Sequence, residues 1–134
     1  LELAQRHRKT ETKRLEGLRN GMQRQIVAAI PDVVISGDQK RRLASHLHVS
    51  FPGVDAERLI FILERQHIYV ATGSACAANA GMRSRVLRAI RLAPDVADGS
   101  LRITLGCLSN QAICERGTVA IIAAVQSERA RTRR

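Results

Sequence analysis

The 134-residue chain predicts an α+β domain in two layers, a mixed or antiparallel sheet with helices on one face. Three observations predict it. Residues 45–51 and 100–105 alternate apolar and polar side chains, the period of a strand with one buried face. Longer segments repeat apolar residues every three or four positions, the period of a helix with one buried stripe. The two patterns interleave as helix, strand, strand, helix, strand, helix, strand, helix.

The first thirty residues read as one helix. Leu15, Leu18, Met22, Ile26 and Ile30 form its apolar stripe, and Lys and Arg occupy much of the remainder. Gly17 and Gly21 weaken it, each by about 1 kcal/mol relative to Ala. Pro31 ends it. Val33, Val34 and Ile35 form a short strand that stops at the turn Ser36-Gly37-Asp38. In the next strand Leu47, Val49 and Phe51 face one way, and His46, His48 and Ser50 face the other. Pro52-Gly53 breaks it. Asp55 then caps a helix reaching about Arg65, with Leu59, Ile62 and Leu63 inward.

Residues 68–71 are β-branched and aromatic enough for another short strand. Residues 72–81 are small, polar and without periodicity, so they predict a mobile loop. Ser84 caps a helix carrying Val86, Leu87 and Ile90 on one face, and Pro94 stops it. Leu101, Ile103 and Leu105 alternate with Arg102 and Thr104 in a last one-sided strand. Asn110 caps a final helix with Ile113, Ala120, Ile121 and Val125, in which Gly117 sits awkwardly. Residues 127–134 predict a basic, frayed tail. Residues 1–134 are expected to form one domain.

Aromatic residues are Phe51, Phe61 and Tyr69 alone, so the core is built from Leu, Ile, Val and Ala. The net charge of +10 favours acidic partners. It is spread over the first helix, the middle and the tail, with no base-stacking aromatics between the basic residues, so solvated surface is favoured over nucleic-acid binding. No apolar run approaches the ~20 residues of a membrane helix. Cys76, Cys107 and Cys114 do not form a disulfide framework, and with no signal peptide a reduced cytoplasmic setting is expected. The chain begins inside a helix without Met, which suggests a fragment or an excised domain.

Four features could carry chemistry. Cys76 lies among small loop residues that can present a thiol. Arg83 and Arg85 flank the start of the next helix, where charge and dipole would favour a thiolate if the loop folds back. By itself a loop cysteine is more often inert than reactive. Arg102, on the polar face of its strand, offers a planar fork for a carboxylate, although alone it reads as a surface arginine. His46 and His48 share a strand face but lack a third ligand, so no metal is expected. Cys107 and Cys114 do not have zinc-ligand spacing and read as core or semi-buried.

Four motifs in order carry a resemblance. Ser36-Gly37-Asp38 with Arg42-Leu43 comes first, then Val49-Ser50-Phe51-Pro52-Gly53-Val54. Gly73-Ser74-Ala75-Cys76 follows, with Val86-Leu87-Arg88-Ala89 beyond it. Ser100-Leu101-Arg102-Ile103-Thr104-Leu105-Gly106 completes the set. Together they resemble the C-terminal small domain of cysteine desulfurases of the NifS and IscS class, which are fold-type I, pyridoxal-phosphate-dependent transferases of the class V aminotransferase family.

The resemblance implies that Cys76 takes sulfur from a cofactor-bound cysteine as a persulfide, and that Arg102 binds the substrate carboxylate. It implies pyridoxal phosphate in the full-length enzyme and none bound to this chain, which lacks the large domain with the cofactor lysine and is expected to be inactive alone. The implied partners are the enzyme's own large domain, a sulfur-acceptor or iron–sulfur scaffold protein, and a second subunit in a homodimer. The chain departs from the family pattern in two places. It has Gly81-Met82-Arg83-Ser84 before the Val-Leu helix, and Cys107-Leu108-Ser109-Asn110-Gln111-Ala112-Ile113 where the family has an acidic helix start. Two other readings compete: a stand-alone sulfur-relay or docking module, and a basic nucleic-acid-binding domain.

Overall fold

Three strands, β1 (Val34–Ile35), β2 (His46–Ser50) and β3 (Ser100–Thr104), form an antiparallel sheet in that order. The structure, a computed structural model, describes residues 2–72 and 84–132. Among the described residues five helices accompany the strands: α1 (Glu2–Ala29), α2 (Ala56–Glu64), α3 (Arg85–Ala89), α4 (Pro94–Asp98) and α5 (Gln111–Thr132). The expected α+β class is therefore found, and the sheet is antiparallel rather than mixed.

The register follows from the alternation. Leu47 lies opposite Ile103 and Val49 opposite Leu101, and all four are buried. They meet Met22 and Ile26 from α1, Ile30 just past it, Leu59 and Leu63 from α2, and Ile121, Ala124 and Val125 from α5 in one cluster. Full burial of one such aliphatic side chain contributes about 1.5–3 kcal/mol. Phe51, just past β2, is completely buried among them. Leu15 and Leu18 pack on the rim of the same cluster, so the α1 stripe holds from Leu15 to Ile30.

The helix ends also follow local chemistry. Asp55 accepts from the Glu57 N–H at 2.8 Å, and Asn110 accepts from the Ile113 N–H at 3.0 Å, so both expected caps form. Arg14 on α1 donates to the carbonyls of Gly106, Cys107 and Ser109, tying the turn after β3 to α1. Arg129 on α5 donates to the Pro31 carbonyl at 3.0 Å.

Several expectations need correction. Residues 68–71 are not a strand: Ala71 alone pairs, in an isolated bridge to Arg102. Ile68 and Val70 are half-buried against the core while Tyr69 is exposed, so the alternation reflects packing without a ladder. The helix after Ser84 is a turn and a half long, and the Ser84 side chain makes no cap bond. Only Leu87 of its expected face is buried; Val86 and Ile90 are exposed. Arg91 adopts φ 56°, and the N–H groups of Arg91 and Leu92 turn back to the carbonyls of Arg88 and Leu87, which closes α3. Pro94 does not stop a helix but opens α4 at its first turn, where its missing N–H costs nothing.

α5 continues to Thr132, through most of the residues expected to form the tail. Glu128 is buried there, held by Arg58 of α2 and Arg131. Gly117 is buried at the α1 contact, where an added Cβ would stand 4.0 Å from Met22 Cε, an ordinary contact. Among the described residues no helix is long and apolar enough to cross a membrane.

Candidate functional site

The sheet face turned away from the core is polar. Alternation and register place His46, His48 and Ser50 of β2 on it, opposite Thr104, Arg102 and Ser100 of β3. Val34, opposite Ser50, belongs to the same face, and so by alternation does Ser36 just past β1. The Ser36 N–H donates to the His48 carbonyl at 3.2 Å.

His48 and Arg102 are direct cross-strand partners. The Arg102 N–H donates to the Ala71 carbonyl at 2.6 Å, and the Arg102 carbonyl accepts from the Ala71 N–H at 3.2 Å. Both backbone groups of Arg102 thus point away from β2. The His48–Arg102 pair is therefore the narrow, non-hydrogen-bonded kind, whose Cα atoms sit about 4.5 Å apart with side chains close together.

The Arg102 side chain is exposed, and its guanidinium has no hydrogen-bond or ion-pair partner among the described residues. His48 differs. Both of its ring nitrogens are buried, and neither has a partner among the described residues. Burial first, and the Arg102 charge second, push its pKa below the usual histidine range. The imidazole is therefore neutral, with one N–H to donate and one lone pair to accept. The Ser36 and Ser50 hydroxyl oxygens are also buried and unpartnered among the described residues. Buried polar groups are nearly always paired, so this row has hydrogen-bonding capacity that the described residues do not use.

Of the two expected site residues, Arg102 stands on this face, whereas Cys76 lies outside the described residues. Ala71, held to Arg102 by two backbone bonds, is five residues before Cys76. Five residues span at most ~18 Å. From sequence alone His48 reads only as half of a metal site. The alternation puts both His48 and Arg102 on polar faces, but only the strand register makes them neighbours.

His46 accepts or donates at Nδ1 to the Ser45 hydroxyl at 2.9 Å. Among the described residues no group of three or more His, Cys, Asp or Glu could hold a metal. Cys107 is exposed in the turn after β3, contrary to the core or semi-buried placement expected of it. Cys114 is buried in the core, and burial pushes its thiol pKa up. A pyridoxal-phosphate site needs a lysine amine in a pocket. Lys9, Lys13 and Lys40 are all exposed, and none lies on the face with Arg102. The described residues do not fit that cofactor by themselves.

Residues 1–116 match the model of the family described as aminotransferase class-V. The chain is 38% identical over 113 residues to a cysteine desulfurase IscS of Clostridium botulinum, covering 83% of this chain and 28% of that protein. It is also 38% identical over 100 residues to an IscS-like cysteine desulfurase of Mycobacterium tuberculosis, covering 74% of this chain and 25% of the relative. The chain thus spans about a quarter of the length of these relatives. A solved structure of a NifS-like protein superposes with a TM-score of 0.80 at 22% identity, over 94% of this chain and 31% of the other.

Proposed function

Starting from the chain's membership of the class-V aminotransferase family, we propose that it is the sulfur-handling C-terminal domain of a cysteine desulfurase. Arg102 binds the α-carboxylate of the cysteine substrate through its planar fork. Cys76, as thiolate, attacks the substrate sulfur; the substrate's Cβ–S bond breaks, its electron pair stays with carbon and takes up a proton to leave alanine, and Cys76 carries the sulfur as a persulfide to an acceptor such as an iron–sulfur scaffold protein. Pyridoxal phosphate and its lysine are supplied by a large domain outside these residues. The working enzyme is a homodimer in the cytoplasm.

The observation that supports this reading best is the guanidinium of Arg102 on a polar sheet face, without a partner among the described residues, with its backbone bonded to Ala71 shortly before the Gly73-Ser74-Ala75-Cys76 motif. The similarity to desulfurases over most of the chain supports it independently.

The test is sulfide release from L-cysteine by the full-length protein. Cys76→Ser should abolish release. The wild-type protein should also gain about 32 Da per sulfur on Cys76 when given L-cysteine. Full activity in Cys76→Ser, or a persulfide found on another cysteine, would remove the assignment.

A further inference from the structure

The polar face holds more than Arg102 needs to act alone. His48 stands directly across from it in the narrow kind of pair, and both imidazole nitrogens are buried without a partner among the described residues. Leaving a buried donor or acceptor unsatisfied costs about 1–3 kcal/mol. A leucine or valine in that place would avoid the cost, so the imidazole is suited to a partner that arrives with a ligand.

We infer that His48 is a second binding residue of the carboxylate subsite, donating a ring N–H to the same carboxylate that Arg102 holds. This rests on the role of Arg102 in the proposed function and extends it. The geometry supports it in three ways. The two side chains leave one sheet face from Cα atoms about 4.5 Å apart, so both can reach one carboxylate. Arg102 supplies the charge, while the neutral imidazole adds a directional donor without a second positive charge to repel the first. Behind them, the unpartnered Ser50 and Ser36 hydroxyls continue the polar floor. The other ionisable groups nearby are His46 on the same strand and Asp95 and Asp98 on α4, which packs against β2. A carboxylate facing this floor would meet one cation and one neutral donor.

The experiment titrates the intact protein, labelled with ¹⁵N in its histidine rings, with acetate and with L-alanine, using methylammonium as a control cation. In the wild type both carboxylates should move the His48 ring nitrogen resonances, and methylammonium should not. His48→Leu removes the donor and should weaken carboxylate binding about 10- to 100-fold, the usual value of a hydrogen bond to a charged group. His48→Asn keeps an N–H donor and should recover most of the affinity, which a merely structural role would not do. His48→Ala serves as the donor-free variant if His48→Leu fails to fold.

Loss of binding in Arg102→Leu with unchanged binding in the donor-free His48 variants overturns the inference and leaves the role of Arg102 standing. Indifference to both substitutions, or no response of the wild type to excess acetate and L-alanine, overturns both.

Discussion

Arg58 of α2 donates from Nε to Glu128 Oε2 of α5 at 2.8 Å, across 70 residues of sequence. Glu128 is buried while the Arg58 side chain is half exposed, so the carboxylate gives up its water and the arginine keeps part of its own.

Acid stability should reveal this pair. The Arg58 hydrogen bond, opposed by burial and assisted by Arg131, holds the Glu128 carboxyl below its ordinary pKa. A carboxylate with a lowered folded pKa stabilises the fold above its unfolded pKa, and that contribution fades as pH falls through the folded value. Glu128→Gln should therefore lower the urea midpoint at about pH 7 and lower it less at acid pH, as the carboxylate titrates in the folded state. An equal loss at both would show that the side chain acts through packing rather than charge.

Gly99 should tolerate no side chain. Its carbonyl accepts the Phe51 N–H at 2.9 Å, and an added Cβ would overlap the Phe51 carbonyl oxygen and lie 2.8 Å from that of Val54. These are backbone atoms and cannot swing aside. Gly99→Ala should cost about 3 kcal/mol, at the upper end of overpacking effects, as measured by denaturant unfolding. A neutral outcome would mean that the chain after Phe51 can shift.

On α2, two apolar residues should separate cleanly. Leu59 is fully buried, so Leu59→Ala should cost about 2–5 kcal/mol by leaving a cavity in the core. Phe61 is 63% exposed, so Phe61→Ala should stay within about 0.5 kcal/mol despite the larger truncation. Thermal or urea unfolding of the two variants side by side checks the contrast.

The sequence made the core legible because its periods are strong. Leu47, Val49 and Phe51 alternate, as do Leu101, Ile103 and Leu105, and all six are buried. Asp55 and Asn110 announce their helices through side-chain chemistry that acts within three residues. Effects that depend on distant partners were hidden. Residues 68–71 have the composition of a strand, but β3 offers them one bridge, at Arg102. The polar tail looks unstructured until Arg58 arrives from another helix to hold Glu128. Arg102 stands out from its motif, yet its pairing with His48 could not be read, because strand register is a property of pairing and not of either strand alone.

The Ala71–Arg102 bridge has one more effect. By alternation, the backbone groups of Ser100 and Thr104 point to the same side of β3 as those of Arg102. That side is the outer margin of the sheet, the place where a foreign strand would attach and start a chain-to-chain assembly. Ala71 occupies the middle of that margin. An incoming strand would have to displace it before pairing continuously, so the contact that sets the backbone of Arg102 also acts as a guard against aggregation.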